Sequence, residues 1–88
     1  MKYIVINSIC HVSDADVSIY NIGVVNNPNE ATELMLQDYK NTLENLLYTE
    51  EQIEIKMTVQ KDAGTLTATE AEFNYNDEEY HKWQILQI

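Results

Sequence analysis

The sequence contains no arginine, one cysteine, one proline and two glycines. The single Cys10 cannot form an internal disulfide bond. Gly23 and Gly64 lie too far apart to build the glycine-rich loop that holds phosphates in nucleotide-binding proteins. Without arginine, the chain also lacks the planar guanidinium group that grips phosphates and carboxylates through two bonds. These absences argue against nucleotide-dependent enzymes and against anionic substrates.

Long apolar runs are also missing. No stretch approaches the ~20 residues that cross a bilayer as a helix. Residues 1–10 contain one lysine and a short apolar stretch interrupted by Asn7 and Ser8, unlike a secretory signal peptide. We therefore expect a cytoplasmic protein.

Negative charge is the main compositional feature. Fifteen Asp and Glu face five Lys, which gives a formal net charge of −10 over 88 residues. Such a surface repels DNA, RNA and anionic lipid, because proteins bind these through cationic side chains. It attracts basic partners and accelerates encounter with them. Solubility alone also explains a high net charge, so a purely solubilising role stays open.

The chain length and its apolar content predict one folded domain over residues 1–88. A hydrophobic share of 44% is ordinary for globular proteins and differs from that of a disordered acidic tail. At this length the chain supplies a single core.

The first part of the chain predicts a hairpin followed by a helix. Apolar and β-branched residues in 3–12 and 17–25 predict two strands around a polar loop. Gly23 indicates a bulge or a close approach of another backbone, or it is an ordinary glycine within the strand. Asn27 and Pro28 then supply a helix N-cap and first position, and the helix is expected to end around Tyr48.

The rest of the chain predicts three strands. Residues 52–60 alternate apolar and polar side chains, which is typical of a half-buried strand. A turn at 61–64 leads to a strand over 65–75, with a bulge near Thr69 or Glu70, and a last strand covers 81–88. The predicted fold is α+β, ββαβββ, an antiparallel sheet of about five strands with one helix packed on one face. The other face is then solvated, paired with a second copy or held against a partner.

No catalytic, cofactor or metal site is predicted. Cys10 and His11 point to opposite faces of a strand, so they cannot form a nucleophile and base pair. Cys10 or His11 with His81 matches no recurrent zinc spacing. The acidic loops, Asp14 with Asp16 and the run 77–79, lack the pattern of a calcium loop.

The arrangement of the acids predicts a partner-binding surface on the C-terminal strands. These residues combine carboxylates with an aromatic neighbour favoured at interfaces: Glu70, Glu72, Asp77, Glu78, Glu79 and Tyr80. Tyr75 and Trp83 are further aromatic candidates, although both also suit the core. A secondary acidic face on the helix, partly neutralised by Lys40, consists of Glu30, Glu33 and Glu44.

In size, acidity and lack of a catalytic motif the chain resembles the small phage-encoded inhibitors of host defence. That class includes DNA mimics, anti-restriction proteins and anti-CRISPR proteins. The stretch Glu-Tyr-His-Lys-Trp from Glu79 to Trp83 is similar to a Glu-Tyr-Lys-Pro-Trp stretch late in the phage uracil-DNA glycosylase inhibitor, without the proline. The resemblance implies an inhibitor acting in the host cytoplasm and assigns no residue a role.

We therefore expect a non-enzymatic binding protein that occupies a basic, nucleic-acid-binding site of a host defence protein. The alternative is a structural or oligomerising module, such as a homodimer formed through the uncovered sheet face. A more remote alternative is a small metal-assisted hydrolase that uses His11 and His81 with nearby acids.

Overall fold

A computed structural model describes all 88 residues and contains four strands and two helices. The elements in chain order are β1 Tyr3–His11, β2 Asp16–Val25, α1 Pro28–Asn45, α2 Glu50–Ala63, β3 Glu70–Tyr75 and β4 Glu79–Gln87. The α+β class is confirmed. The prediction of about five strands and one helix is wrong, because the order is ββααββ.

The four strands form one antiparallel sheet in the order β2-β1-β4-β3. β1 and β4 lie in the centre, and β2 and β3 are the edges. His11 at the end of β1 is paired with Asp16 of β2 on one side and with Glu79 of β4 on the other. The two hairpin turns therefore lie side by side at one end of the sheet.

Residues 52–60, predicted as a strand, belong to helix α2 instead. The Thr49 side chain accepts a hydrogen bond from the Gln52 amide at 3.2 Å, and the Gln52 side chain accepts one from the Thr49 amide at 2.8 Å, which together form a capping box. The apolar alternation contains pairs four residues apart, as a helix requires. One pair, Ile53 and Met57, is buried, and the other is exposed.

Gly64, predicted to lie in a hairpin turn, ends helix α2. It adopts a left-handed conformation with φ 79°, which glycine accepts without steric cost. Its N–H donates hydrogen bonds to the carbonyl oxygens of Gln60 and Lys61 in the last turn.

Helix α1 begins as predicted. The Asn27 side chain accepts a hydrogen bond from the Asn29 amide at 2.7 Å, and Pro28 occupies the first turn. The side chains that face the sheet recur every four residues and are fully buried: Ala31, Met35, Tyr39 and Leu43.

The core lies between the helices and one face of the sheet. Trp83 is fully buried, as the core interpretation of this residue expects, and its ring packs at an angle on Tyr39 with centroids 5.4 Å apart. Its indole N–H donates a hydrogen bond to Asp38 Oδ2 at 2.7 Å. One of the fifteen acids is therefore used to satisfy a buried donor.

Strand β2 contains a bulge. Val5 is paired with Gly23 and Ile6 with Asn21, so Ile22 has no direct partner on β1. Gly23 also lies close to α1, because a Cβ there would stand 2.8 Å from Leu34 Cδ2.

The strand predicted over residues 65–75 is shorter than expected, since β3 begins only at Glu70. Residues 65–69 instead fold back beside β3, where Thr67 N–H donates to Glu70 O at 2.8 Å and Glu72 N–H donates to Thr65 O at 3.1 Å. The prediction of a bulge near Thr69 or Glu70 is wrong, because the chain reverses direction there.

The sheet face opposite the helices, here the outer face, is uncovered. On the outer face lie the β1 side chains of Ile4, Ile6, Ser8 and Cys10 and the β3 side chains of Glu70, Glu72 and Asn74. Neither α1 nor α2 combines the length and the apolar content that a membrane-spanning helix requires.

Candidate protein-binding surface

The two hairpin turns bring together acids that are far apart in the sequence. The backbone N–H of Val12 donates a hydrogen bond to Glu78 O at 3.0 Å, which joins the turns directly. We call this cluster the acidic end; it comprises Asp14, Asp16, Asp77, Glu78 and Glu79. Neither turn contains a lysine.

Backbone angles and local hydrogen bonds define the conformation of the β3–β4 turn. Asn76 and Asp77 have φ of 51° and 59°, and two consecutive positive φ angles are what a tight type I′ hairpin turn requires. Glu78 N–H donates to Tyr75 O at 2.9 Å. The side-chain amide of Asn74 donates a hydrogen bond to Asp77 Oδ1 at 2.9 Å. Asp77 therefore has a structural role in addition to its charge.

The connection between the helices lies at the same end of the molecule. The ring of Tyr48 packs edge-on against Tyr75, beside the β3–β4 turn, with centroids 6.4 Å apart. Three further carboxylates flank this connection at the last turn of α1 and the first turn of α2: Glu44, Glu50 and Glu51. The ammonium of Lys56 lies 4.7 Å from the centre of the Tyr48 ring.

Leu47, within this connection, combines backbone strain with exposure. Leu47 N–H donates to Glu44 O at 2.9 Å and Tyr48 N–H donates to Leu43 O at 3.1 Å, which is the Schellman ending of a helix. The position that glycine normally takes is occupied by Leu47, with φ 70° and 90% of its surface exposed. A bulky side chain in this conformation costs energy, and no burial offsets the cost here.

On the helix-covered sheet face, Glu79 lies between two histidines. Its oxygens are 3.4 Å from His11 Nδ1 and 3.8 Å from His81 Nε2. His81 is 4% exposed and neither ring nitrogen has a hydrogen-bond partner. Burial lowers the pKa of His81, and the charges of Glu79 and Asp38 oppose that shift only in part.

The chemistry of this histidine group is limited. Cys10 lies on the outer face opposite Tyr80, so no thiol accompanies His11 and His81. No cluster of three or more His, Cys, Asp or Glu side chains has the geometry to hold a metal ion.

The six residues predicted to bind a partner do not form one surface. Glu70, Glu72 and Tyr80 lie on the outer face of the sheet. A carboxylate oxygen of Glu72 lies 3.9 Å from the Lys82 ammonium. Burial raises the pKa of Tyr80 to about 12, and the hydrogen bond and the charge of Glu72 act in the same direction. Asp77 and Glu78 lie in the turn, and Glu79 points to the helix-covered face.

The predicted helix face is also divided. Glu30 and Glu33 lie in the first two turns of α1, whereas Glu44 lies in its last turn. Eleven residues of helix separate Glu33 from Glu44 by about 16 Å. Glu44 therefore lies near the acidic end, and the other two lie apart from it.

Three residues of this region are not among the sequence-based binding candidates. The sequence indicates an ordinary acidic loop at Asp14 and Asp16, and the antiparallel pairing of β1 with β4 brings that loop to the second turn. The position of Leu47 depends on where α1 ends.

No family model matches the chain, and no match was found among curated proteins or solved structures.

Proposed function

We propose that this chain is a non-enzymatic binding protein that docks its acidic end on a basic surface of a larger protein. The observation that carries the proposal is the convergence of five carboxylates at one end of the sheet, three in the two hairpin turns and two, Asp16 and Glu79, at the adjoining strand ends, without a lysine in either turn. Negative potential focused at one end steers a basic partner into a defined orientation, which a uniformly charged surface does not do.

The strand spacing sets the width of this acidic surface. Asp16 and Glu79 belong to strands on either side of β1, so their backbones are about 10 Å apart. Side chains in the turns extend the charge beyond the end of the sheet. DNA has a higher charge density, but a groove lined with Lys and Arg accepts a coarser row of negative charge by the same attraction.

Exposed apolar side chains at the same end supply contacts that charge alone does not. Val12, in the β1–β2 turn, is 58% exposed and Leu47 is 90% exposed. Interfaces concentrate their binding energy in a few apolar anchors surrounded by a polar rim. In this proposal Leu47 is an anchor and the carboxylates form the rim.

The partner we propose is a basic nucleic-acid-binding protein of host defence, with the chain acting as a phage-type inhibitor in the host cytoplasm. Support comes from the resemblance in size and acidity to that class and from the absence of arginine. Inhibition then follows from occupation of the site, by mimicry of nucleic acid or by steric block.

The test is affinity capture from a bacterial lysate with two matched variants. One variant carries Asp14→Lys, Asp16→Lys and Glu78→Lys at the acidic end. The other carries Glu33→Lys, Glu54→Lys and Glu70→Lys, which changes the net charge equally at exposed positions elsewhere. We expect a protein that the wild type and the second variant retain, that the first variant loses and that added duplex DNA displaces. Equal loss with both variants would contradict a localised site.

A further inference from the structure

The two edges of the sheet are protected very differently. Edge strand β3 has six residues, two of them Glu70 and Glu72, and residues 65–69 cover its outer side with hydrogen bonds. Edge strand β2 has ten residues, and no other segment is paired to its outer side. Folded proteins normally protect such edges with charge, proline, covering segments or bulges, because a free edge pairs with other strands.

The composition of β2 also favours pairing. The strand contains no lysine and no proline, and Asp16 at its first position is its single charge. Its large apolar side chains are well exposed: Val17 by 58%, Ile19 by 70%, Tyr20 by 50% and Val24 by 47%. The bulge at Ile22 leaves residues 16–21 as a regular segment of six residues.

We propose that two copies of this chain pair antiparallel through their β2 edges, which joins the two sheets into one of eight strands. The pairing has a two-fold axis beside Ile19, close to the middle of the regular segment. Ile19 side chains of the two copies then lie next to each other on the outer face, where cross-strand apolar pairs stabilise a sheet.

Charge selects a second copy as the occupant of this edge. A net charge of −10 opposes self-association over most of the surface, but β2 carries only Asp16. Antiparallel pairing about Ile19 places the two Asp16 carboxylates about 20 Å apart along the strands, beyond the screening length of ~8 Å at physiological salt. The two acidic ends point away from each other. A basic partner would find almost no opposite charge on this edge.

The available area agrees with a reversible dimer. The exposed parts of Val17, Ile19 and Tyr20 in the paired segment amount to at most roughly 350 Å² per copy, below the apolar share of a standard interface, which buries about 800 Å² per partner and is near 60% apolar. With the backbone hydrogen bonds of the paired strands, we expect a dissociation constant of about 10 to 100 µM.

Sedimentation equilibrium from about 5 to 500 µM tests the dimer, since that range brackets the expected constant. We expect the wild type to shift from monomer to dimer. Ile19→Lys sets two ammonium groups side by side at the axis and should weaken association at least ~10-fold. The control Ile55→Lys makes the same change at a 59% exposed isoleucine of α2 and should leave association unchanged. Circular dichroism verifies that both variants are folded.

A second measurement uses the wild type alone, in case Ile19→Lys does not fold. Amide hydrogen exchange of residues 16–21 should slow as concentration rises from about 5 to 500 µM, with the β3 amides unchanged. A monomer at every concentration overturns the proposal. So does a dimer that Ile55→Lys weakens while Ile19→Lys does not, or a β2 edge that pairs only with a different protein.

Discussion

Leu47 is the residue at which folding and the proposed binding make opposite demands. Its φ of 70° is the conformation that glycine adopts freely, and its side chain contributes little to the core because 90% of it is exposed. Strained, exposed positions that persist in a fold are candidates for function.

Replacing Leu47 with glycine should therefore raise stability and weaken partner binding. Relief of the left-handed strain, less the extra freedom of glycine in the unfolded chain, should add about 0.5 to 1 kcal/mol to the free energy of unfolding. Leu47→Ala is the control, because it removes the anchor and keeps the strained backbone. Urea unfolding and titration with the captured partner measure the two effects. Unchanged affinity in both variants would exclude Leu47 as an anchor.

His81 should make stability depend on pH. Its pKa is lowered in the folded protein by burial, so below about pH 6.5 the unfolded chain takes up a proton that the folded chain refuses. Stability is therefore lost as pH falls from 6.5 towards the lowered pKa, with a slope of at most about 1.4 kcal/mol per pH unit. The groups that face this imidazole are Glu79, His11 and Asp38.

The measurement is urea unfolding of wild type and His81→Phe between pH 7 and pH 5. Carboxylate protonation affects both proteins alike, so the difference between the two curves isolates His81. We expect the wild type to lose more stability than the variant over this range. Parallel curves would mean that the imidazole titrates normally in the fold.

Helix α2 is the element that the sequence predicts wrongly, because its apolar pattern fits both a strand and a helix. An alternation of apolar residues at 53, 55, 57 and 59 fits a strand, yet it also places pairs four residues apart. The capping signal was present in Thr49 and Gln52, and it decides between the two patterns. Helix α1 was predictable because its Asn-Pro start and its apolar spacing agree.

The capping box of α2 should be measurable in stability. Thr49→Ala removes the side-chain acceptor for the Gln52 amide and should cost about 1 kcal/mol in the free energy of unfolding. The control is Thr58→Ala, because the Thr58 hydroxyl donates only to the Glu54 carbonyl within the helix and its loss should be neutral or slightly stabilising. Equal destabilisation by both substitutions would argue against a specific role of the cap.

The acidic end could be predicted only in part, because it depends on strand order. The sequence identified both acidic turns, but hairpins β1–β2 and β3–β4 can be joined in a sheet in several orders. The pairing of His11 with Glu79 is a long-range contact between β1 and β4, and it makes the two turns neighbours. Local patterns carry no information on such a contact, so they predict a site along β3 and β4 instead.

For the whole molecule, the main acidic cluster and the apolar β2 edge lie in different places. The acids of the two turns and of the helix connection lie at one end, while the apolar outer side of β2 runs along one edge. In the proposed dimer the two acidic ends lie at opposite extremities and stay free to bind. A dimer would then engage two partners, or two sites of one partner, with increased avidity.

The affinity of the captured partner for the two triple variants, measured from about 50 to 200 mM salt, tests the central claim most directly. Asp14→Lys, Asp16→Lys and Glu78→Lys together should weaken binding by at least ~2 kcal/mol, because like charges then meet across the interface. They should also flatten the salt dependence that the wild type shows. The control with Glu33→Lys, Glu54→Lys and Glu70→Lys should lose far less. A wild-type affinity that is constant with salt, or a control that loses as much, would contradict docking through the acidic end.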